Sequence, residues 1–230
     1  MLRSVKSLHG STLEATDGSI GRVDDVYFDD ASWKVRYILA NTGAWLPERL
    51  VLLSPASLGE PGERTMPVSL TKDQIKDSPG INSDEPVSRQ HERLIAAHYG
   101  WPPYWEGYKM MLGKIAERKV DSHLRSAHEV IGYKVEATDG SIGRISDLIL
   151  QTEDWTVRYV VVDLSAWLPD RKVLLDPHWF SQFRWDHAIA TIDHTRNQIE
   201  RAPNYHASEA INRVYEAQLY DFYGQPKYWD

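Results

Sequence analysis

The 230-residue sequence contains no cysteine. This absence excludes structural disulfides, zinc sites built on thiolates and catalysis by a thiol. The sequence also lacks any apolar run near the ~20 residues that a membrane-spanning helix needs, and residues 1–7 carry no apolar segment of the secretory type. We therefore expect a protein that does not insert into a membrane, and we place it in the cytoplasm.

Positive charge and phenylalanine are both scarce. The chain has 26 Lys and Arg against 33 Asp and Glu, for a net charge of −7. Binding to nucleic acid requires a basic face, so this balance argues against a nucleic-acid partner, although a local basic patch stays open. Only 4 Phe stand against 9 Trp and 12 Tyr, a bias that predicts rings with polar tips at partly wet packing surfaces.

One stretch of nine residues occurs twice without change. Residues 14–22 read Glu-Ala-Thr-Asp-Gly-Ser-Ile-Gly-Arg, and residues 136–144 repeat them at a displacement of 122. Asp-Gly between runs of alternating apolar and polar residues is typical of a tight β-hairpin, because glycine takes a positive φ without a clash. The predicted turn residues are Asp17, Gly18, Asp139 and Gly140.

The repetition extends through a whole domain. Residues 8–70 contain five strand-like segments, one of them over residues 33–40, and a helix is predicted to end near Tyr99. The apolar stripe of this helix would consist of Val87, His91, Leu94, Ile95 and His98. Since a fixed period marks a duplicated unit, we expect two domains, residues 1–106 and residues 128–230, joined by a connector over residues 107–127.

The duplication tests an acid-rich stretch that resembles a cation site. Its members are Asp24, Asp25, Asp29 and Asp30. A site used by both copies should keep its carboxylates in both, because hard cations need oxygen ligands. Only Asp25 recurs, as Asp147. We therefore interpret this stretch as a solvated loop face.

Two histidines fail the same test. His91 and His98 lie seven residues apart on one predicted helix face, a spacing compatible with metal binding. Their counterparts in the second copy are Tyr215 and Phe222, which indicates packing positions. We predict no metal site, no cofactor and no catalytic residue, and hence a protein that is not an enzyme.

Other residues that recur in both copies are candidates for recognition. Two arginines recur on strands, where cross-strand pairing is the favoured explanation and a recognition patch is the alternative. A Trp-Leu pair recurs in a loop, where its large apolar side chains must be covered by their own domain, by the other copy or by a partner. The candidate interaction residues are Trp45, Leu46, Trp167, Leu168, Arg36 and Arg158.

An aromatic tail ends each copy. Tyr99, Tyr104 and Trp105 recur as Tyr223, Tyr228 and Trp229. Two hypotheses stay open. Each tail clamps its helix onto β structure, of its own copy or of the other, or the tails are exposed hooks for a partner.

These motifs resemble a known family. Thr-Asp-Gly-Ser-Ile-Gly-Arg, Val-Arg-Tyr followed by Trp-Leu-Pro, and Val-Leu-Leu-x-Pro are similar to the PRC-barrel family, small β-barrels named after the photosynthetic reaction-centre H subunit. The tail resembles that of tandem bacterial PRC-barrel proteins of no assigned activity. The resemblance implies a mainly β fold: two tandem PRC-type small β-barrels, each with a C-terminal helix and an aromatic tail, in a pseudo-two-fold arrangement.

The function that the resemblance implies is docking without catalysis. We expect a bacterial interaction or assembly module with a protein partner, either a monomer with an internal pseudo-dimer or a homodimer. One alternative is a factor linked to the ribosome or to RNA processing, because the same barrel occurs in a ribosome-maturation factor that binds a ribosomal protein. Another is an enzyme or small-ligand binder at the seam between the copies.

The hairpin assignment makes a testable prediction. Replacing Gly18 or Gly140 with valine should lower the melting temperature strongly, because a β-branched residue does not adopt the positive φ of this turn. Thermal unfolding followed by circular dichroism measures the effect. An unchanged melting temperature in both variants would show that the turn is assigned wrongly.

Overall fold

A computed structural model gives the structure of the chain and describes residues 1–47, 49–81, 89–103, 124–166 and 168–230. The described residues are mainly β and form two sheets. They divide into two compact units. The first unit is Leu8–Ser126, and the second unit combines Met1–Ser7 with Ala127–Asp230. The predictions for residues 107–123, Tyr104, Trp105 and Trp167 lie outside the described residues.

The secondary-structure elements are numbered in chain order. The strands are β1 (Leu2–Ser4), β2 (Thr12–Ala15), β3 (Gly18–Asp29), β4 (Val35–Asn41), β5 (Leu50–Leu53), β6 (Thr65–Pro67), β7 (Leu124–Ser126), β8 (Lys134–Ala137), β9 (Gly140–Gln151), β10 (Thr156–Asp163), β11 (Lys172–Leu175), β12 (Phe180–Arg184) and β13 (Ile189–Ile192). The helices are α1 (Val5–Leu8), α2 (Lys72–Lys76), α3 (Arg89–Tyr99), α4 (Ala127–Val130), α5 (Arg196–Arg201) and α6 (Arg213–Tyr223). None of these described helices has the length and apolar character needed to cross a bilayer.

Each sheet is built around a repeated hairpin. In the first unit the strand order is β5-β4-β3-β2-β6, with β7 also paired to β3. In the second it is β11-β10-β9-β8-β13-β12, with β1 also paired to β9. The buried residues Ile20, Val23 and Val26 of β3 are three positions apart, where a regular strand would space them by two. Register shifts interrupt the pairing of β3 with both of its neighbours, β2 and β4.

The predicted closed barrels need correction. Within the described part of the chain, the hydrogen-bonded path of the first sheet ends at β5 and β6, and that of the second ends at β11 and β12. Both sheets are therefore open. The second sheet also contains β12, a strand that has no counterpart among the described strands of the first sheet.

The leading strand of each sequence copy, Leu-Arg-Ser, belongs to the sheet of the other copy. β1 pairs with β9, so that Ser4 faces Ile149, and β7 pairs with β3, so that Ser126 faces Tyr27. The exchange is therefore reciprocal, and both strands have the same sequence. The boundaries predicted from the sequence assign Met1–Ser7 to the first domain, whereas the structure places this segment in the second unit.

A serine–aspartate hydrogen bond attaches each leading strand. Ser4 Oγ donates to Asp147 Oδ2, and Ser126 Oγ donates to Asp25 Oδ2. The other carboxylate oxygen accepts the backbone N–H of the following residue, at 2.8 Å for Asp147 and 2.7 Å for Asp25. The aspartate that recurs in both copies therefore accepts the serine hydroxyl and one backbone N–H at the edge where the exchanged strand joins the sheet.

Helix α3 bears out the predicted stripe only in part. Ile95, a member of the stripe, is buried in a cluster with Tyr37. Leu94, another member, is 55% exposed, whereas Glu92, which the stripe did not include, is only 1% exposed. The buried face is therefore rotated from the predicted one, and Val87 lies outside the described residues.

The equivalent helix α6 shows how a buried glutamate is accommodated. Glu216 Oε1 accepts hydrogen bonds from the hydroxyls of Tyr159 at 2.7 Å and Tyr228 at 2.9 Å, and Oε2 lies 3.2 Å from the Arg213 guanidinium. A buried carboxylate without such partners would be destabilising. Burial, with Tyr220 and Glu216 nearby, raises the pKa of Tyr159 and keeps its hydroxyl protonated as a donor.

The aromatic tail of the second copy folds back onto its own unit. The Arg158 guanidinium lies 4.4 Å from the centre of the Tyr228 ring, and the Arg213 guanidinium lies 4.1 Å from that of Trp229. Trp229 also meets Tyr220 edge to face, with ring centres 5.3 Å apart. Such cation–π and aromatic contacts are stabilising. For this copy, the geometry favours the clamp over the exposed hook.

Deleting residues 224–230 should therefore destabilise the isolated protein. The deletion removes the Tyr228 donor of Glu216 and the packing of Trp229, and loss of a packed Trp costs about 3 kcal/mol or more. The milder variant Tyr228→Phe should cost about 1 kcal/mol, the value of one hydrogen bond. Urea unfolding measures both free energies.

The matched control is removal of Asp230 alone, whose side chain is exposed. This control should unfold at the wild-type urea concentration. A deletion of residues 224–230 that behaves like the control would contradict the clamp.

Candidate functional site

Each unit contains an open cleft at the same place relative to its repeated hairpin. The cleft of the first unit, called the first cleft, has a volume of about 540 Å³. The cleft of the second unit, called the second cleft, has a volume of about 660 Å³. In each unit the cleft lies between the second strand of the hairpin and the loop that follows the neighbouring strand.

The segments that recur most faithfully in the sequence meet at these clefts. Ser19, Gly21 and Arg22 of the nine-residue stretch line the first cleft, and their counterparts Ser141, Gly143 and Arg144 line the second. The repeated Trp-Leu loop supplies the facing wall, through Gly43, Ala44 and Trp45 in the first cleft and through Ser165 and Ala166 in the second. Two sequence-distant repeats thus form one surface in each unit.

A glycine at the floor of each cleft permits a close approach of two strands. A Cβ atom on Gly21 would lie 2.1 Å from the Asn41 carbonyl oxygen, and one on Gly143 would lie 2.0 Å from that of Asp163. Both glycines also have positive φ, 130° and 154°. No other residue fits these positions without moving the backbone. Sequence analysis did not single out these glycines, although their place in the nine identical residues was visible.

A buried threonine hydroxyl lies within hydrogen-bond distance of two carbonyl oxygens of the loop at the first cleft and shares its one proton between them. Thr42 Oγ1 lies 2.6 Å from the Leu46 carbonyl oxygen and 2.7 Å from that of Arg49. Both Trp45 and Leu46 are half-buried. The Lys72 ammonium lies 5.7 Å from the centre of the Trp45 ring. Trp45 is therefore held at the wall of the cleft with part of its ring accessible.

The second unit shows only part of the corresponding loop. Trp167 lies outside the described residues, and Leu168 is half-buried. The backbone N–H of Leu168 donates to the Leu164 carbonyl at 2.9 Å. Leu164 stands at the position of Thr42 and is fully buried, so an apolar contact replaces the threonine hydroxyl.

The candidate arginines lie elsewhere. Arg158 donates from Nε to Gln151 at 2.7 Å and from Nη2 to Asp154 at 2.6 Å, and Arg36 donates to Ser32 at 3.2 Å. Neither arginine contributes to the described lining of a cleft. These contacts to the neighbouring strand and turn are those expected of structural pairing. The structure thus separates the arginines from the Trp-Leu loops.

The predicted turn residues fasten a short helix beside the hairpin. Gly18 and Gly140 have φ of 129° and 138°. Asp17 Oδ1 accepts the backbone N–H of Lys72 at 2.9 Å, at the start of α2. Asp139 makes the equivalent bond at the start of α5, at 2.7 Å. A carboxylate at a helix start is favourable, because the first N–H groups there have no partner within the helix.

Two further arginines that sequence analysis missed hold the other ends of these helices. Arg49 donates to the Lys76 carbonyl at 2.6 Å, and Arg171 donates to the Glu200 carbonyl at 2.7 Å. These arginines correspond under the displacement of 122, so their recurrence was a usable signal. Cations at a helix end satisfy its free carbonyl groups.

The residues that failed the metal test have other contacts. Asp29, at the end of β3, is buried, and its Oδ1 accepts from the backbone N–H of Ser32 at 2.8 Å. Asp30 pairs with Arg125 at 2.8 Å. The interpretation of this stretch as a solvated loop face is therefore wrong, because these carboxylates have partners within the fold. His98 Nε2 lies 2.8 Å from the Gln74 carbonyl oxygen. Burial lowers the pKa of His91. Among the described residues, no group of three or more His, Asp or Glu is arranged to hold a metal ion.

Comparison with known proteins gives one family. The profile of the PRC-barrel domain matches residues 123–191. These residues contain the hairpin β8–β9, the strands β10 and β11, and most of the second cleft. No curated protein matches the chain.

The floor glycines make a testable prediction. Gly143→Ala should destabilise the protein at least twice as much as Gly140→Ala in urea unfolding. At Gly140 the added Cβ lies 3.7 Å from its nearest neighbour, so only the positive φ opposes alanine, at about 1–3 kcal/mol. At Gly143 the carbonyl of Asp163 must also move. Equal destabilisation by the two variants would contradict the close approach.

Proposed function

We propose, starting from the PRC-barrel domain at residues 123–191, that both copies are PRC-type domains and that the chain is a non-catalytic interaction module. Its partner is a protein that docks on the paired clefts. The observation that supports this proposal is the convergence of the two most faithfully repeated segments on one open cleft in each unit.

The chemistry of the cleft suits a protein partner. Trp45 presents an indole at the wall of the first cleft, and Trp is among the residues that contribute most at protein interfaces. The backbone around Gly43 and Ala44 is exposed, so a partner segment can approach closely. Volumes of about 540 and 660 Å³ lie in the range of sites that hold a small molecule or a few residues of a chain.

Catalysis has little support in the same clefts. Ser19 and Ser141 supply hydroxyl groups, and His9 also lines the first cleft. A serine nucleophile needs a base within hydrogen-bond reach. The counterpart of His9 is Ile131, so a serine–histidine pair does not recur. We therefore prefer docking over the alternative of an enzyme.

The test is capture of a partner from native cell extract by the immobilised chain. Trp45→Arg places a charge on the wall of the first cleft, and Val214→Arg, at a site that is 67% exposed on α6, is the matched control. We expect a protein retained by wild type and by Val214→Arg but lost from Trp45→Arg, with all three chains equally stable.

Two results would contradict docking on the clefts. One is that the Trp45→Arg variant captures the same protein as wild type. The other is retention of RNA that disappears at 0.5 M salt, because salt dependence of this kind marks phosphate contacts. The second result would instead support the RNA-linked alternative.

A further inference from the structure

The two clefts differ in charge, although their backbones correspond. Four cationic side chains line the second cleft and one carboxylate accompanies them: Lys6, Lys134, Arg144, Arg196 and Asp163. In the first cleft, Arg22 keeps the place of Arg144, but Thr12 stands for Lys134 and Asn41 for Asp163. Asp24, in place of Ser146, adds a negative charge there. In a chain of net charge −7, the second cleft is a local concentration of positive charge.

The one carboxylate of the second cleft is already bound. Asp163 Oδ1 accepts from the backbone N–H and the hydroxyl of Ser165, and Oδ2 lies 3.8 Å from the Lys172 ammonium. Burial alone would raise the pKa of Asp163, but the Ser165 hydrogen bonds and the charges of Lys172 and Lys6 lower it. Asp163 therefore stays ionised. Its charge is balanced by Lys172, which lies outside the set of four cations, and in part by Lys6, which belongs to the set.

Lys134 and Arg144, on the paired strands β8 and β9, present donors at the cleft. Arg144 donates one N–H to the Gly132 carbonyl at 3.0 Å, which fixes its position and leaves other guanidinium donors. Lys6 and Lys134 are exposed and make no ion pair with a described residue. A bound carboxylate would thus gain charge-assisted hydrogen bonds without breaking existing ion pairs of these lysines.

We propose that the second cleft binds an acidic segment of the partner protein, with its carboxylates at Lys134 and Arg144. This inference rests on the proposed function, because it names the chemistry of the docked segment. A cavity of about 660 Å³ is much larger than a single oxyanion requires, whereas it suits a few residues of a chain. A long polyanion such as RNA would meet the repulsion of the acidic protein beyond the cleft.

The test uses the full chain and a fluorescein-labelled octapeptide of alternating Glu and Ser, measured by fluorescence anisotropy. We expect saturable binding at 50 mM salt and at least fivefold weaker binding at 300 mM salt, since salt screens exposed charges. An octapeptide of alternating Lys and Ser is the charge control and should not bind. Absence of binding by the acidic peptide up to 1 mM, or equal binding by the basic one, would overturn the inference.

Variants locate the binding. Lys134→Thr installs the residue of the first cleft at an exposed position, and Arg144→Gln removes the recurring arginine. Each should weaken peptide binding at least fivefold. Arg22→Gln makes the same change in the first cleft and should have less than a twofold effect. Equal loss with Arg22→Gln and Arg144→Gln would overturn the assignment to the second cleft.

The inference and the proposed function can fail separately. A captured protein that is lost with Trp45→Arg but kept with Lys134→Thr and Arg144→Gln would overturn the acidic-segment inference and leave docking intact. Peptide binding that follows the variants as expected supports the charged cleft, whatever the capture experiment gives.

Discussion

The close approach of two backbones at the cleft floor is the constraint on which the site depends. At Gly21 and Gly143, the fourth residue of the long hairpin strand passes so near the end of its neighbour that a Cβ atom would overlap a carbonyl oxygen. The register with the first hairpin strand shifts directly beside these glycines. The arginine that follows, Arg22 or Arg144, lines the cleft. The recurrence of glycine at this place in the nine-residue stretch thus has a physical cause.

A second constraint concerns how each sheet is completed. The strand that extends the hairpin edge comes from the other sequence copy, and Asp25 and Asp147 accept the serine hydroxyl that arrives with it. Neither copy of the sequence, taken alone, therefore contains all the strands of its sheet. Each strand is short, three residues, so its contribution comes from hydrogen bonds at an otherwise open edge, where unpaired backbone groups would face solvent or another chain.

The main β elements could be predicted from the sequence, because alternation and β-forming residues mark strands of ordinary length. The third segment shows the limit: it was expected to begin at Trp33, but Trp33 has φ of 56° and belongs to the turn, where its ring stacks on Phe28 at 5.0 Å. A bulky aromatic residue rarely adopts the left-handed region, so the residue type at Trp33 favoured a strand over a turn. The leading strands were too short for periodicity to detect.

The site was predictable in its residues but not in its geometry. Because they recur, Trp45 and the hairpin could be identified as candidates from the sequence. Recurrence could not show that they line the same cleft, because that depends on the close approach of the two strands at Gly21. The buried Glu216 was not predicted, because its burial depends on the hydroxyls of Tyr159 and Tyr228, which are distant in sequence. The recurrence of Arg-x-x-Glu at residues 89–92 and 213–216 was a usable signal. The difference in charge between the two clefts could not be predicted from the sequence, because it depends on which distant residues line each cleft.

Docking of a partner on the paired clefts can be tested by amide hydrogen exchange of the full chain, with and without the captured partner. We expect the partner to slow exchange at residues 19–24 and 43–46, and at residues 141–146 and 165–166, with little change along α6. Protection confined to α6 and the aromatic tail, with both clefts exchanging as in the free protein, would contradict it.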